Sequence, residues 1–443
     1  MLSLLGLMGG LLLLIVLVVR GVHLLIAAPL AALLVALTSD IVLFAPLALA
    51  DESNYIDLYM AGFTGFFKSW FFMFLLGAIF GKAMEISGAA DSVATWIINR
   101  IGIKHASLAI VVACAALTYG GVSVFIVAFS VYAMALSLFK AANLPRRFLP
   151  AVIAFGSVTF TMTSAGSPEI QNWIPIQYLG TTPYAGWPVS LVVSSFMAVA
   201  GYFWLQRLIQ QALTQGENFV PRKDDITPKD SDSLPNPLYC LLPLLAVLFL
   251  SFLGHQHLGT SALIVALAGG IALTYLLNYR YFDHPAQPFT EGATGALIAI
   301  ANTCAVVGFG AVAKATPAFT DIVVIMTSIP GGGLVGAALA ISVICGLTGS
   351  ASGGQTIALP LLAPLYIGPG VESTQAVEPE ALHRVVSIAS GGLDSMPHNG
   401  YVVTLIRSIC GETHRDAYFP LAKLTVVIPF LGTVLAIILF EVF

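Results

Sequence analysis

Apolar residues run through this chain in long, nearly continuous stretches, and the polar residues gather in short segments between them. A helix needs about 20 apolar residues to cross a bilayer. Unbroken stretches near that length are predicted transmembrane helices: 2–19, 22–39, 65–87, 187–208, 237–254, 260–277, 291–313 and 420–441. Two further stretches, 148–175 and 381–409, contain a polar break and are predicted to be broken helices. The pattern therefore predicts an all-α polytopic membrane protein.

A second kind of interruption lies in the middle of the apolar stretches 105–139 and 333–367, where the break is rich in glycine. The first break reads Tyr119-Gly120-Gly121-Val122-Ser123, and the second reads Thr348-Gly349-Ser350-Ala351-Ser352-Gly353-Gly354-Gln355-Thr356. Each stretch could be one ordinary crossing, or a re-entrant hairpin that enters and leaves the membrane on the same side. The charges of the loops decide between the two.

A single crossing at 105–139 would place Arg100 and Lys104 opposite Lys140, Arg146 and Arg147, which the positive-inside rule disfavours. Two hairpins instead collect the basic residues on one face: Arg20, Arg100, Lys104, Lys140, Arg146, Arg147, Arg222, Lys223, Lys229, Arg280 and Arg415. The other face then carries Asp40, Asp51, Glu52, Asp57, Glu372, Glu378 and Glu380, with Lys68 and Lys314 as exceptions. We therefore predict hairpins.

The one long polar stretch, 209–236, divides the chain into halves of almost equal length, 1–208 and 237–443. That equality is what an internal duplication leaves behind. Each half has five spans and one hairpin, and because five is odd, the second half is predicted to lie inverted relative to the first. The linker is then cytoplasmic, both termini are not, and the two hairpins open from opposite sides.

Four polar clusters are predicted to form a site near the middle of the membrane. Non-helical backbone survives at that depth only where protein or a wet cavity surrounds it, and matched breaks in two inverted halves are typical of secondary transporters. Interrupted helices expose N–H groups that attract anions and carbonyl groups that attract cations. The candidate substrate-binding residues are Gly120, Gly121, Ser123, Thr163, Ser164, Ser167, Ser352, Gly353, Gly354, Gln355, Thr356, Ser390, His398 and Asn399.

Three titratable residues fall inside the clusters: Glu169, Asp394 and His398. Ionisable groups at membrane depth are costly and mark an ion or substrate path. Each could carry a coupling proton. Asp394 could instead help to hold sodium, or cap the half-helix that follows it, and Glu169 could lie beyond the break, close to water.

Composition narrows the possible functions. Only 9% of the residues are charged and 58% are hydrophobic, whereas soluble proteins carry roughly 25% charged residues. The net charge of −4 suggests no nucleic-acid partner. The five cysteines have no C-x-x-C spacing, so we expect neither a metal nor a cofactor. No catalytic motif accompanies the clusters, so we expect no enzyme, and matched breaks favour a carrier over a channel.

The second-half motifs resemble the gluconate permease (GntP-type) family of the ion transporter superfamily, closest to its hydroxybutyrate or short organic-acid branch. The supporting stretches are 346–354, 359–364 and 388–400, the last reading Ile-Ala-Ser-Gly-Gly-Leu-Asp-Ser-Met-Pro-His-Asn-Gly. The resemblance implies a homodimer in the bacterial inner membrane, with a scaffold domain and a transport domain that moves as an elevator. It also implies uptake of sugar acids or hydroxy acids together with protons.

The first half departs from that family at Thr161–Pro168, where gluconate carriers have a segment rich in proline and histidine. This difference argues against a large polyhydroxylated substrate. No arginine or lysine lies in the four clusters, so an anion would be held by backbone dipoles and hydroxyl groups. We predict proton-coupled uptake of a small monocarboxylate such as 3-hydroxybutyrate. The alternatives are a gluconate, sugar-acid or C4-dicarboxylate carrier, and coupling to sodium in place of protons.

Overall fold

The computed structural model describes residues 2–44, 53–223, 225, 233–321, 332–367 and 376–442, and these residues form helices and connecting loops without a strand. By length and hydropathy, seven of the described helices can cross a membrane, or eight if the bent pair Ala89–Ile101 and Ile103–Tyr119 counts as one. The chain is thus an all-α polytopic membrane protein, as its hydrophobic pattern predicts. Four positions used to assign the faces lie outside the described residues: Asp51, Glu52, Lys229 and Glu372.

The described residues of the first half form nine α-helices of very unequal length. They are α1 (Leu2–Val19), α2 (Leu24–Leu37), α3 (Tyr55–Ile86), α4 (Ala89–Ile101), α5 (Ala106–Tyr119), α6 (Val124–Ala141), α7 (Leu149–Ala154), α8 (Ile176–Leu179) and α9 (Trp187–Thr214). Helices α5 and α6 are the two arms of the first hairpin. Helix α7 and a π-helical turn, Phe155–Thr159, form the first part of the first broken helix.

The second half repeats this order. Its helices are α10 (Pro237–Leu258), α11 (Ser261–Asn278), α12 (Gln287–Lys314), α13 (Gly332–Thr348), α14 (Ala351–Tyr366), α15 (Pro379–Leu393), α16 (Gly400–Val403), α17 (His414–Ala422) and α18 (Ile428–Val442). Helices α13 and α14 form the second hairpin. Helices α15 and α16 are the two parts of the second broken helix, which continues as a π-helical turn, Thr404–Ile409.

Two helix boundaries differ from the hydrophobic pattern because polar residues extend the helices beyond the apolar stretches. Helix α3 begins at Tyr55, where the Asn54 side chain accepts a hydrogen bond from the Asp57 N–H at 3.0 Å. Helix α9 continues to Thr214, so the first part of the predicted linker, 209–214, is helical. Helix α4 precedes the first hairpin, and the corresponding residues 322–331 before the second hairpin lie outside the described residues.

Equivalent helices of the two halves pack antiparallel. Tyr59, near the start of α3, donates a hydrogen bond to the Ala305 carbonyl oxygen late in α12, at 3.0 Å. Lys82, near the end of α3, lies 3.5 Å from the Glu291 carboxylate early in α12. Helices α9 and α18 also pack antiparallel, with Gly186 against Phe440 and Met197 against Gly432. This is the geometry of an inverted repeat, because a half of odd span number must face the other way.

An ion-pair cluster joins three loops on the predicted cytoplasmic face. Arg146 follows the first hairpin and contacts Asp225 of the linker, with Nη1 and Oδ1 2.5 Å apart. Arg222 of the linker lies 2.9 Å from Glu412, which follows the second broken helix. Arg146 Nε is 3.5 Å from the same carboxylate. These contacts place the ends of α6 and of the second broken helix at one face with the linker, as the loop charges predict.

This arrangement predicts the result of cysteine labelling. Cysteines placed at Ala142 and Gln215 should react with an impermeant maleimide from the cytoplasm, and a cysteine at Gln256 should react from outside. The five native cysteines are buried and should react little. Labelling of Ala142→Cys and Gln215→Cys from opposite faces would exclude the first hairpin and, with it, the inverted repeat.

Candidate functional site

The break in the second broken helix is held by a few local hydrogen bonds. Helix α15 ends at Leu393, and the Asp394 carboxylate accepts a hydrogen bond from Ser395 Oγ at 3.0 Å. The chain becomes helical again at Gly400, where Asn399 Oδ1 accepts from the Val402 N–H at 3.0 Å. Asp394 and Asn399 are both buried. The sequence leaves open whether Asp394 caps the following half-helix, and in the structure Asn399 holds that position.

The tip of the second hairpin packs directly on this break. Asn399 Nδ2 donates to the Gly349 carbonyl oxygen at 3.0 Å. Gly349 has a φ of +62°, and a Cβ atom added there would lie 2.5 Å from Cδ2 of His398. The Asp394 carboxylate meets the backbone of Ala351, at the start of α14. A short side chain on each part of the broken helix therefore reaches the hairpin tip.

A buried side-chain contact continues the cluster into the hairpin. Gln355 Nε2 donates to Ser390 Oγ at 2.8 Å, and Ser390 Oγ donates to the Ser387 carbonyl oxygen at 2.7 Å. Thr356 Oγ1 donates to the Ser352 carbonyl oxygen one turn earlier, at 2.9 Å. The Gln355 carbonyl oxygen Oε1 is buried without a hydrogen-bond partner among the described residues.

His398 stands out because it is buried and unsatisfied. Its side chain is 4% exposed, and neither ring nitrogen makes a hydrogen bond of ordinary geometry in the described part of the chain, although the Gly346 backbone lies close to the ring. Buried polar groups in native proteins almost always have a partner, so each exception calls for an explanation. With Asp394 on the same break, His398 is the best candidate to face a bound ion or substrate.

The first broken helix is held by a denser set of internal bonds. Asn172 Nδ2 donates to the carbonyl oxygens of Ser167 and Pro183 at 3.1 and 2.9 Å, and Trp173 Nε1 donates to the Ser167 carbonyl oxygen at 3.0 Å. Ser164 Oγ donates to the Phe160 carbonyl oxygen. The Glu169 N–H donates to Ser167 Oγ at 3.3 Å. These polar groups chiefly stabilise the shape of the segment.

The first hairpin tip lies against helix α10. Gly121 has a φ of +93°, and a Cβ atom there would lie 3.0 Å from Val247 and 3.5 Å from Pro168 of the first broken helix. A Cβ atom at Gly120 would lie 2.8 Å from the Leu244 side chain. The Ser123 side chain makes no capping hydrogen bond at the start of α6. This tip therefore lies between α10 of the second half and Pro168 of the first broken helix.

One point of contact links the first-half cluster to the second-half cluster. A Cβ atom added at Gly391 would lie 3.1 Å from the Thr163 methyl group. Gly391 adjoins Ser390, so Thr163 approaches the Gln355–Ser390 pair. The structure thus brings one set together: Thr163, Ser352, Gln355, Ser390, Asp394, His398 and Asn399 with Gly349. Gly120 and Gly121 lie against α10, and for Ser123, Ser164, Ser167 and Glu169 the structure shows local contacts of the first half.

Gly354 has a packing role inside the hairpin. A Cβ atom there would lie 2.4 Å from the Sγ atom and 2.7 Å from the Cα atom of Cys345, on the opposite arm. The neighbouring Gly353 N–H donates to Ser350 Oγ at 3.1 Å and so caps α14. These two glycines let the arms meet and α14 begin, which is a different use from close approach to a ligand.

Arg384 is part of the same region, although sequence reasoning missed it. It lies on α15 and is fully buried, and its Nη1 donates to the Thr163 carbonyl oxygen at 2.6 Å and to Asn172 Oδ1 at 2.9 Å. An arginine inside an apolar, broken span was a visible signal, because charged residues within membrane segments are by default functional. It escaped notice because it precedes the polar cluster at 390–399 by two turns.

Substitution of Gly349 is predicted to separate the hairpin tip from His398. Gly349→Ala places a Cβ atom within 2.5 Å of the imidazole ring, whereas Gly180→Ala meets nothing within 4 Å. Both glycines are left-handed, with φ of +62° and +65°, so both variants carry the same backbone cost of roughly 1–2 kcal/mol. We expect Gly349→Ala to lose most substrate uptake and Gly180→Ala to retain it at equal expression. Equal uptake by the two variants would show that the His398 contact is unimportant.

The antiparallel halves, the two hairpins and the two broken helices define a polytopic helical membrane protein of transporter architecture. The whole chain aligns with the crystal structure of the Alcanivorax borkumensis YdaH transporter, described as having an unusual topology. The TM-score is 0.55, with 14% sequence identity, over 100% of this chain and 98% of that one. This likeness concerns the fold alone. No protein-family model matches the chain.

The chain is also 34% identical, over 438 residues, to the protein named "Uncharacterized transporter YxjC" of Bacillus subtilis (strain 168). The match covers 88% of this chain and 92% of the relative. The protein therefore belongs to the same transporter family as YxjC and is a multi-pass membrane transporter.

Proposed function

We propose that the protein is a secondary active transporter that takes up a small monocarboxylate, such as 3-hydroxybutyrate, together with a cation. The resemblance of the second-half motifs to short organic-acid permeases of the GntP type motivates the substrate class. The family relationship to a named transporter supports transport in preference to catalysis. The coupling-ion site would lie where the second hairpin tip meets the second broken helix.

The observation that carries the proposal is the pair Asp394 and His398. Both side chains are buried at a break in a membrane helix, and neither ring nitrogen of His398 makes a hydrogen bond of ordinary geometry among the described residues. Carriers place discontinuous helices and ionisable groups together where substrate and coupling ion bind. We propose the proton as the coupling ion, because both groups can change protonation between two access states.

We further propose that the two hairpins and the two broken helices move together as a transport domain in an elevator mechanism. Contacts between the halves support a common unit. Phe125 of the first hairpin packs edge-on against Tyr401 of the second broken helix, with ring centroids 5.4 Å apart. Ser387 of the second broken helix donates to the Gln171 carbonyl oxygen of the first at 3.5 Å. The family resemblance adds a homodimer in the bacterial inner membrane to this proposal.

Uptake by proteoliposomes tests the function. A labelled panel should include 3-hydroxybutyrate, gluconate, a C4-dicarboxylate and a neutral sugar, each under separate proton and sodium gradients. The proposal predicts saturable accumulation of 3-hydroxybutyrate driven by the pH gradient alone. If the protein prefers gluconate or the dicarboxylate, the proposed substrate class is wrong and the preferred compound defines the class instead. A requirement for sodium would make Asp394 and the hydroxyl groups of the hairpin tip cation ligands instead.

A further inference from the structure

Arg384 is a fully buried cation whose hydrogen bonds all go to uncharged oxygens. Besides Thr163 and Asn172, it donates from Nε and Nη2 to the Ala185 carbonyl oxygen at 3.0 and 2.9 Å. Nη2 also donates to the Pro183 carbonyl oxygen at 3.4 Å. These five hydrogen bonds equal the number of N–H groups on a guanidinium. No carboxylate forms an ion pair with Arg384 within the described residues, and the nearby Glu380 carboxylate accepts from the Gly186 N–H at 3.3 Å.

A buried charge of this kind is costly unless something compensates it. Carbonyl dipoles solvate the guanidinium but leave its net charge in place. Because every N–H group is occupied, Arg384 has no free donor for a ligand. Its charge can still act over the next several ångströms, since electrostatic interactions are much stronger inside a protein than in water. The residue is therefore a positioning and field-setting group, which acts through the segment that it holds.

That segment forms one wall of a cavity. The cavity has a volume of about 670 Å³ and is lined by Tyr119, Thr161, Ser164, Ala165 and Ser190 together with apolar side chains of α9 and α10. Its polar side-chain groups are hydroxyls and the Trp187 indole N–H, and its apolar lining includes Phe160, Leu191 and Phe252. The hydroxyls of Tyr119, Thr161 and Ser164 donate to backbone carbonyl oxygens, whereas Ser190 Oγ accepts from the Ala165 N–H and keeps its own hydrogen for a ligand. Such a lining suits a small molecule with one polar end and an apolar body.

The cavity wall and the Arg384 site share the same short piece of backbone. Thr163 accepts from Arg384, and two residues further on, Ala165 is bonded on the cavity side. The Ala165 N–H donates to Ser190 Oγ at 2.9 Å, and the Ala165 carbonyl oxygen accepts from the Tyr119 hydroxyl. The guanidinium therefore lies directly behind the cavity wall.

We propose that Arg384 gives this cavity its preference for a monoanion, so that the carboxylate of the substrate accepts a hydrogen bond there from Ser190 Oγ while the charge of Arg384 favours it from behind. This inference rests on the proposed function and names the charge class that the transporter selects. It accounts for a carboxylate site without a basic side chain in the polar clusters. A purely structural Arg384 would instead hold the first broken helix in shape and have no effect on ligand charge.

The test compares a carboxylate with its uncharged amide. Inhibition of labelled 3-hydroxybutyrate uptake is measured for 3-hydroxybutyrate and for 3-hydroxybutyramide, in wild type and in Arg384→Gln. We expect the variant to weaken inhibition by the carboxylate about tenfold, or about 1.4 kcal/mol, with less than a twofold change for the amide. An equal loss for both ligands, or no loss for either, would overturn the proposal.

Two more variants keep the test decisive if Arg384→Gln does not fold. Arg384→Lys retains the charge but cannot reproduce the five hydrogen bonds, so it should keep the preference for the carboxylate even if its melting temperature falls. Asn172→Asp keeps Arg384 but turns the side-chain oxygen that Nη1 contacts into part of a carboxylate. It should therefore weaken inhibition by 3-hydroxybutyrate more than inhibition by the amide. Loss of preference in Arg384→Lys, or an unchanged preference in Asn172→Asp, would contradict the inference.

A failure of the proposed function has a different signature. If wild-type proteoliposomes take up no 3-hydroxybutyrate and no other monocarboxylate of the panel, the proposed function is wrong. If the wild type transports the carboxylate and all three variants keep its carboxylate-to-amide ratio, the proposed function survives and the role of Arg384 is excluded.

Discussion

Asp394→Asn is expected to abolish uphill uptake driven by a pH gradient while leaving exchange of substrate between equal pools largely intact. Asparagine has nearly the shape of aspartate and can still accept the hydrogen bond from Ser395 Oγ, which measures 3.0 Å in the wild type. It cannot bind or release a proton. A proton-coupled carrier needs such a group in order to link the two access states, whereas exchange requires only that the loaded site change sides.

The experiment compares accumulation and exchange in the same proteoliposome preparation. Asp416→Asn is the matched control, because Asp416 is exposed in the first turn of α17 and accepts from Oγ1 of the capping residue Thr413 at 2.6 Å. This variant should accumulate substrate like the wild type. Full uphill uptake by Asp394→Asn under a pH gradient alone would exclude Asp394 as the proton carrier and make Glu169 the next candidate. In the same assay, His398→Gln should shift the pH optimum of uptake, and it should lose less uphill uptake than Asp394→Asn.

Arg146→Met is expected to destabilise the protein more than any other single change in the loops. The Arg146 side chain is 6% exposed, and it lies between the carboxylates of Asp225 and Glu412, of which the second is 7% exposed. Removing one partner of a buried ion pair leaves a buried charge uncompensated, at a cost of about 3–5 kcal/mol. For Glu412, the remaining contact with Arg222 partly compensates the charge that the substitution leaves unpaired. We therefore expect the free energy of unfolding to fall by about 3 kcal/mol, the lower end of that range.

The neighbouring arginine provides the control. Arg147 also pairs with the linker, with Nε 2.6 Å from Glu217 Oε2, but its side chain is 31% exposed. Exposed pairs contribute about 0–1 kcal/mol, so Arg147→Met should change the melting temperature in detergent little. A similar fall in melting temperature for both variants, or none for Arg146→Met, would show that the loop cluster does not hold the linker in place.

Much of this fold is predictable from the sequence, because membrane helices differ from other segments in their hydrophobic composition. Apolar length locates the spans, and glycine-rich or polar interruptions locate the hairpin tips and the breaks, since non-helical backbone in a membrane needs special residues. Loop charges predict the hairpins, and the structure agrees with them by joining Arg146, the linker and Glu412 on one face. Helix ends were less predictable, because capping by Asn54 starts α3 in polar sequence.

The candidate site was predictable in outline only. Local motifs indicate that polar residues lie at the breaks, but not which of them meet across the fold. Gln355 and Ser390, for example, are 35 positions apart and bond directly. Gly354 reads as a site glycine, yet its Cα faces Cys345. Arg384 is the main omission: its place inside an apolar span is visible in the sequence, but only the fold brings to it its partners, backbone oxygens and Asn172 Oδ1 of the other half.

Counterflow tests most directly the central claim, that the protein is an alternating-access carrier of a small monocarboxylate. Proteoliposomes are loaded with unlabelled 3-hydroxybutyrate and diluted into a trace of labelled 3-hydroxybutyrate, with ion gradients collapsed. A carrier must exchange one molecule for another, so we predict a transient accumulation of label above equilibrium in loaded vesicles and none in empty ones. Entry of label at the same rate into loaded and empty vesicles, without an overshoot, would contradict the claim and indicate a channel.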